Sequence, residues 1–204
     1  VKFIFVDGWA IGKDNVAAIT CHEGEAGCFA GYGAGKEGYT KLGGTFGGAG
    51  TNPACNRFAY GYLQGANDAA KELGITVDAK ISFLYGGGFS ASPELQSQIS
   101  GWYNDGTQVV FACGGSMLQS VKAAANETAD GMIIGVDTDQ AAESDRVLTS
   151  AMKGLAVSVQ KILAIWDEGN WDSIPDTAQN LGAADDSTGL PTAEGSWRFK
   201  NWTL

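Results

Sequence analysis

The chain alternates predicted strands and helices from Lys41 to Val136, and this order constrains its fold more than any other feature. Short apolar runs such as Gln108 to Ala112 and Gly131 to Val136 are typical of strands that are buried on both faces. Helix signals separate these runs, because Asn52-Pro53 and Ser92-Pro93 each place a capping side chain before a proline at the first helical position. The alternation predicts βαβ units and a doubly wound, parallel α/β sheet.

Further elements are predicted on either side of this stretch and within it. A helix rich in glycine and alanine is expected from Glu23 to Gly38, and its poor propensity means that it would form only by packing very closely on a sheet. Ser116 and Gln119 have the spacing of a capping box at the start of another helix. The other predictions are strands at Phe3 to Val6 (buried), Asn15 to Thr20, Lys80 to Tyr85, Arg146 to Thr149 and Gln179 to Ala183, and helices at Asn52 to Gly74 and Ser150 to Gly169.

Carboxylates follow two of the predicted buried strands. Asp7 comes directly after the strand that ends at Val6, and Asp137 and Asp139 follow the strand that ends at Val136. Ligands of open α/β sheets bind outside the carboxyl ends of the strands, so acids at these positions favour a binding role. Lys153 is predicted in the first turn of the next helix, close to these acids. The alternative is a surface ion pair that contributes little.

Two further features bear on the kind of site. Gly114 and Gly115 follow a strand and would let backbone N–H groups approach a ligand closely. Asp137 and Asp139 together could indicate general acid–base chemistry or a metal site. A sugar diol needs only one ionised carboxylate as its acceptor. Binding a diol thus requires fewer residues than catalysis or a metal site does, which favours a binding protein over an enzyme.

The composition argues against several classes of function. The formal net charge is −10 and there is no basic stripe, so nucleic acid is not an expected partner. The apolar runs are far too short to span a bilayer. Four cysteines without CxxC spacing and a single histidine, His22, do not form a zinc motif. No nucleophile with its base and no cofactor-binding loop is recognisable. We therefore expect no catalysis, no metal and no cofactor.

Aromatic side chains fall into two groups. Phe111, Trp166 and Phe83 lie inside predicted elements and are expected in the core. Trp9, Phe58 and Phe89 instead lie at the ends of elements, next to glycines or caps, where a flat base could stack on them. For each of these three, core or hinge packing remains the alternative to ligand contact.

Four segments together resemble the basic membrane protein family, the substrate-binding lipoproteins of ABC transporters that are also called purine nucleoside receptors. They read IIGVDTDQ, VLTSAMKGLAVSVQKIL, NRFAYGYLQGANDAAKELG and VVFACGGS. The resemblance implies a type 1 periplasmic-binding-protein fold, in which two doubly wound lobes joined by a three-strand hinge hold the ligand between them. By position it implies ligand contacts for Asp7, Asn56, Phe58, Gly114, Gly115, Asp137 and Lys153.

The resemblance also implies roles for these residues. Asp137 would accept the ribose hydroxyls, Lys153 would hold Asp137 or a ligand oxygen, and Asp7 would bind the edge of the base. The family pattern often continues the glycine turn as GTGxGVF, which supplies an aromatic partner for the base. This chain has Met117 after its glycine turn, and Met117 could replace a ring as a soft apolar contact.

The resemblance further implies that lobe one is incomplete in these 204 residues. Residues 1–20 and 150–178 would be a remnant of lobe one, and residues 21–149 and 179–204 would be lobe two with the hinge and the C-terminal tail. Family members begin with further βα units, a signal peptide and a lipidated cysteine, so we expect an extracytoplasmic, cell-surface lipoprotein. An incomplete lobe would expose sheet edges, and we expect the isolated chain to form a homodimer through it.

The sequence therefore predicts a solute-binding component of an ABC importer. Its partners would be a purine nucleoside, or a similar small polar ligand, and a transporter permease. The alternative is a sugar-binding sensor or regulator module of the same fold.

Overall fold

The computed structural model of the chain describes residues 1–174 and 178–201. These residues form two β-sheets with helices packed against them, and the strands that alternate with helices are parallel, as the sequence predicts. In chain order the strands are β1 (Phe3–Val6), β2 (Val16–Cys21), β3 (Lys41–Phe46), β4 (Asp78–Ser82), β5 (Val109–Cys113), β6 (Met132–Asp137), β7 (Val147–Lys153), β8 (Gln179–Leu181) and β9 (Thr188–Gly189).

The larger sheet has the strand order β4-β3-β5-β6-β7-β9, and only β9 is antiparallel to its neighbour. β3 lies between β4 and β5, so the direction in which strands are added reverses there. Such a reversal leaves a crevice outside the carboxyl ends of the neighbouring strands, where ligands of doubly wound sheets bind. In this sheet the crevice lies beside Phe46 and Cys113, which are the last residues of β3 and β5.

The helices are α1 (Glu23–Glu37), α2 (Pro53–Leu73), α3 (Pro93–Asn104), α4 (Met117–Asn126) and α5 (Leu155–Asp167). The two helix starts predicted from a cap followed by proline are confirmed. The Asn52 side chain accepts a hydrogen bond from the amide of Cys55, and the Ser92 hydroxyl accepts one from the amide of Leu95. Gly74 ends α2 in the left-handed conformation, which glycine adopts without the steric cost of a Cβ.

Each face of the larger sheet is covered by a pair of helices. Phe111 and the side chains around it form one apolar cluster with α1 and α2, while α3 and α4 form a second cluster on the opposite face. Phe111 is fully buried and contacts the rings of Phe46, Phe58 and Tyr62, which confirms its predicted place in the core.

The glycine-rich helix α1 exists as predicted, but it packs principally on helix α2 and not only on a sheet. Their backbones touch: a Cβ added at Gly31 would lie 2.0 Å from the carbonyl oxygen of Tyr62. A Cβ added at Gly65 would lie 1.9 Å from the carbonyl oxygen of Cys28. Glycines spaced four residues apart on both helices therefore form a seam in which only hydrogen fits. This close packing compensates for the low helix propensity of the segment.

The prediction for residues 146–153 was wrong in one respect. The strand does not end at Thr149 but continues to Lys153, and α5 begins at Leu155. Residues 149–152 pair with residues 134–137 of β6, and the side chains from Val147 to Ala151 are buried. Pairing within a covered sheet thus extends the strand through residues that could equally have started a helix. As a result, Lys153 lies at the carboxyl end of a strand, like the acids.

Several local predictions were also wrong. Ser116 does not cap α4, because its hydroxyl accepts a hydrogen bond from the amide of Ala91 and helps to hold the preceding loop. Trp166 is 54% exposed, so it does not belong to the core. Phe83 lies after β4, which ends at Ser82, and it is only partly buried against the core.

The smaller sheet contains β1, β2 and β8 in that order. β1 is an edge strand, and it is exposed or half-buried, not buried as predicted. β8 pairs with β2, whereas β9 pairs with β7, so the segment assigned to lobe two from residue 179 onward contributes to both sheets. Within the described ranges, no helix is long and apolar enough to cross a membrane.

Candidate functional site

Side chains from both sheets line a small cavity at the crevice. Its volume is about 110 Å³. Larger surface grooves exist elsewhere, including one of about 580 Å³ along α2 and β4, but acids from the two sheets do not meet there. The lining of the small cavity consists of Asp7, Asn52, Ala54, Cys55, Phe58, Phe89, Cys113, Gly114, Gly115, Val136, Asp137 and Lys153.

The ammonium group of Lys153 joins the two sheets. It donates hydrogen bonds to both carboxylate oxygens of Asp7, at 3.0 and 2.9 Å. It lies 3.4 Å from a carboxylate oxygen of Asp137 and 5.4 Å from the centre of the Phe58 ring. The Lys153 side chain is 4% exposed, while those of Asp7 and Asp137 are 41% and 43% exposed. The lysine thus lies buried at the bottom of the site, and the two acids above it are partly exposed to solvent.

A third carboxylate lies beneath this group. Glu23, the first residue of α1, is 1% exposed, and one of its oxygens lies 3.8 Å from the Lys153 ammonium. Its other oxygen accepts a short hydrogen bond of 2.6 Å from the guanidinium of Arg57. Glu23 was not predicted as a site residue. It follows the end of β2, so the rule that drew attention to Asp7 and Asp137 also applies to it.

The charges in the site change one another's protonation. Burial disfavours the charged form of Lys153, but the carboxylates of Asp137, Asp7 and Glu23 outweigh it and raise the pKa of the lysine. Burial also raises the pKa of Asp137, since the attraction of Lys153 only partly offsets it and Asp7 adds repulsion. The lysine is therefore firmly cationic, and ionisation of Asp137 is disfavoured to a degree that a hydrogen-bond donor would reduce.

The two exposed acids also have unusual backbone conformations. Asp7 has a φ of 56° and Asp137 a φ of 65°, in the left-handed region that few non-glycine residues adopt, although aspartate adopts it more readily than most. Each residue is the one at which its strand stops. This conformation directs the chain away from the sheet at the point where the carboxylate faces the cavity. Such local strain concentrates at binding and catalytic sites.

The predicted glycine turn is part of the cavity, and it explains the position of an aromatic ring. A Cβ added at Gly114 would lie 2.9 Å from the ring of Phe89, and one added at Gly47 would lie 2.3 Å from it. The amide of Ser116 donates to the carbonyl of Phe89, and the amide of Met117 donates to that of Gly114. The glycines thus make room for Phe89 at the cavity.

Three predicted contacts do not line the cavity. Trp9 is 70% exposed and packs edge-on against Phe5. The Asn56 side chain donates to the carbonyl of Gly50, which stabilises the turn before α2. Met117 is fully buried in the cluster beneath α3 and α4, so it does not offer a surface to a ligand.

Asp139 does not pair with Asp137. It accepts hydrogen bonds from the amide of Ala141 and the hydroxyl of Ser196, so it organises the loop after β6. Among residues 1–174 and 178–201, no cluster of three or more histidine, cysteine or acidic side chains has an arrangement that could hold a metal ion.

A family model described as ABC transporter substrate-binding protein PnrA-like (Bmp) matches residues 1–178. The ABC transporter nucleoside-binding protein BmpA of Lactococcus lactis subsp. cremoris is 26% identical over 209 residues, which cover 94% of this chain and 58% of BmpA. This chain therefore spans little more than half the length of that relative.

Solved structures share the fold. An ABC transporter solute-binding protein from Aeropyrum pernix K1 superposes with a TM-score of 0.76 at 22% identity, covering 93% of this chain and 54% of that one. A transcriptional activator of the comK gene from Bacillus halodurans gives a TM-score of 0.73 at 16% identity, covering 98% of this chain and 63% of that one. Both likenesses concern the fold, which is of the type 1 periplasmic-binding-protein kind. The match to the family model extends over most of the sequence, and the chain belongs to the PnrA-like (Bmp) family of ABC transporter substrate-binding proteins.

Proposed function

We propose that this chain provides the ligand-binding cleft of an extracytoplasmic solute-binding component of an ABC importer, and that the ligand is a purine nucleoside or a similar small polar molecule. The single observation that carries the proposal is the meeting of Asp7 and Asp137, from different sheets, on the ammonium of Lys153. A ligand bound there would contact both sheets at once. The protein would deliver it to a transporter permease.

The free hydrogen-bonding capacity of Asp137 favours hydroxyl groups as its partners. In the described part of the chain, its carboxylate has one polar partner, the Lys153 ammonium at 3.4 Å. An ionised carboxylate accepts about four hydrogen bonds. Two adjacent ribose hydroxyls can donate to its two oxygens, and these charge-assisted bonds are roughly twice as strong as neutral ones. They would also offset the burial that raises the pKa of Asp137.

The charge of the site favours a neutral ligand over an anionic one. Asp7, Asp137 and Glu23 are opposed by Lys153 and Arg57, so negative charge is in surplus. The first amides at α4, those of residues 116 and 117, already donate to backbone carbonyls, so they are not free to bind a phosphate. A nucleoside fits this site better than its 5′-phosphate.

The cavity supplies aromatic surface for a base as well. Phe58 lies beneath the lysine and Phe89 rests on the glycine turn. The present volume of about 110 Å³ is smaller than the 300–1,000 Å³ that is typical of small-molecule sites. Three segments of the described chain pass between the sheets, after β2, after β7 and after β8. A hinge motion at these crossings would open the cleft to admit the ligand.

The test is a ligand titration followed by thermal unfolding and calorimetry. Inosine and adenosine should raise the melting temperature, because a ligand at a hundredfold excess over its Kd stabilises the folded state by about 2.7 kcal/mol. The corresponding 5′-monophosphates and free ribose should give far smaller shifts. The absence of any nucleoside-dependent shift would reject the proposal.

Two variants define which carboxylate matters. Asp137→Asn keeps the shape of the side chain but removes its charge, and it should abolish the nucleoside-dependent shift. Asp145→Asn is the matched control, since its carboxylate is fully exposed and is paired only at 3.5 Å with Arg198. If both variants lost the nucleoside-dependent shift in melting temperature equally, the effect would not be local to the cleft. A shift with free sugars that matches the shift with nucleosides would support the alternative of a sugar-binding sensor.

A further inference from the structure

Two cysteine side chains lie together in the cleft. Cys113 is the last residue of β5, and Cys55 is the third residue of α2. Both thiols are free, both residues line the cavity of about 110 Å³, and both belong to the same apolar cluster. Both thiols are buried, and their interaction lowers the pKa of Cys55 and helps to raise that of Cys113.

Cys55 has the surroundings of a reactive thiol. It lies in the first turn of a 21-residue helix, where the exposed amides and the helix dipole favour a negative charge. The interaction with Cys113 is the largest influence on the pKa of Cys55 and lowers it. The Lys153 ammonium and the Gly47 amide act in the same direction, and together they outweigh burial and the charge of Asp137, which raise it. Residues at the cavity thus stabilise the thiolate form.

The other three cysteines contrast with it. Burial raises the pKa of Cys21 to about 11, with nearby carboxylates adding to the effect. Burial raises the pKa of Cys28 and of Cys113 as well. Cys55 is therefore the nucleophile of the set, and Cys113 is the thiol placed to react with whatever Cys55 forms.

We propose that Cys55 and Cys113 are a modification site, a dithiol that a low-molecular-weight disulfide such as oxidised glutathione converts to an intramolecular disulfide inside the cleft. The Cys55 thiolate attacks one sulfur of glutathione disulfide, forms a mixed disulfide and releases one glutathione thiolate. Cys113 then gives up its proton and attacks the Cys55 sulfur, which releases the second glutathione. The protein loses two hydrogens and one glutathione disulfide becomes two glutathione thiols.

The position of the pair gives the reaction a consequence for the cleft. The disulfide would tie the first turn of α2 to the carboxyl end of β5, and these two segments carry Asn52, Phe58 and the glycine turn. It would fix the cavity at the size set by the cross-link. A guest that fills the cavity would in turn shield Cys55 from the oxidant. The cross-link itself forms without any guest, so its formation does not depend on the identity of the ligand.

The experiment treats the folded chain with oxidised glutathione at pH 8, blocks free thiols with N-ethylmaleimide and maps the tryptic peptides by mass spectrometry. The expected product links the peptide that ends at Arg57 to the peptide that ends at Lys122. Cys55 should react faster than Cys21, because the pKa of Cys55 is lowered whereas burial raises that of Cys21, so a larger fraction of Cys55 is thiolate at pH 8.

Variants assign the order of the two steps. In Cys113→Ser the reaction should stop at a glutathione adduct on Cys55, and in Cys55→Ser neither the adduct nor the link should form. Cys28→Ser is the control, because Cys28 lies outside the cavity, and it should give the wild-type product. A wild-type chain that accumulates adducts without the link, or that links Cys28 as readily as Cys113, would overturn the proposal. The wild-type mapping needs no variant, so the outcome stands even if one substitution impairs folding.

Discussion

The seam between α1 and α2 and the cleft at the beginning of the same two helices obey opposite rules. Along the seam, backbone meets backbone, and Gly31 and Gly65 leave no room for a methyl group. At the cleft, α1 begins with Glu23 and the first turns of α2 carry Arg57 and Phe58 beneath a cavity. The same two helices thus pack closely along their length and place charged side chains at their N-terminal ends.

The difference shows where the molecule can accept change. The seam should be sensitive to volume and insensitive to charge, because its contacts are between carbonyl groups and hydrogens. The cleft should be insensitive to volume and sensitive to charge. Asp7 and Asp137 are each more than 40% exposed beside a cavity that can take up added volume, while one lysine balances both of their charges. Three substitutions test this contrast.

Removing the lysine should have the largest effect. Lys153→Met keeps most of the buried side-chain volume but leaves three carboxylates without their shared cation. Breaking a buried ion pair in this way costs about 3–5 kcal/mol, and we expect about 3 kcal/mol because Asp7 and Asp137 can rehydrate. Urea unfolding at pH 7 measures the loss.

The control for this variant is Lys80→Met. Lys80 is paired with Asp105, whose side chain is 72% exposed, and such a pair contributes about 0–1 kcal/mol. If the two variants lose the same free energy of unfolding, Lys153 does not stabilise the carboxylates of the cleft as the geometry indicates. Adding Asp137→Asn to Lys153→Met should recover part of the loss, because it removes one of the unpaired charges.

A methyl group in the seam should have the next largest effect. In Gly65→Ala the new Cβ would lie 1.9 Å from the carbonyl oxygen of Cys28, so the helices must separate. Overpacking of this kind costs about 1–3 kcal/mol. Gly101→Ala is the matched control: Gly101 lies inside α3 with no atom within 4 Å of an added Cβ, and there alanine should stabilise by about 0.5–1 kcal/mol. Opposite signs for the two changes in free energy of unfolding are the expected result, and equal signs would contradict it.

The sequence predicted much of the cleft because strand ends are local features. Val6 and Val136 end apolar runs, an acid follows each, and the parallel topology brings the acids of the two sheets together. The sequence places Lys153 near them, although it predicts that the strand ends at Thr149 and that a helix begins at Ser150. Residues 150–152 continue the strand because they pair with β6, which is a property of the folded sheet and not of the local sequence.

The features that were missed depend on contacts distant in sequence. The partner of α1 could not be identified, because a row of glycines indicates that something approaches closely without indicating what. Cys55 and Cys113 are 58 positions apart and meet only through the fold. Phe89 was named as a candidate for stacking, but the position of its ring depends on Gly47 and Gly114, which are distant in sequence. Met117 was expected at the ligand because it follows the glycine turn, but it is the first residue of α4 and its side chain is buried beneath that helix.

Neutralising Asp137 should have the smallest effect on stability and the most informative sign. Burial raises the pKa of this carboxyl, so its ionised form is less stable in the folded chain than in the unfolded one. A group with a raised pKa contributes stability below its unfolded pKa, and the contribution is lost as the pH rises through its folded pKa. Asp137→Asn avoids that loss. The ligand-free variant should therefore melt at or above the wild-type temperature at pH 7. Its gain in free energy of unfolding should be less than about 1 kcal/mol, because solvent reaches the carboxylate.

The pH dependence distinguishes this origin from a change in packing. The advantage of Asp137→Asn should shrink as the pH falls below the ordinary pKa of an aspartate, since the wild-type carboxyl is then neutral in both states. Thermal unfolding of both proteins between pH 3 and pH 8 measures it, with Asp145→Asn as the exposed control. A variant that melts well below the wild type at pH 7 would show that Asp137 is a structural anchor of Lys153. A variant that gains stability while losing the nucleoside shift would show that the fold tolerates an unfavourable charge at the one position where a ligand can use it.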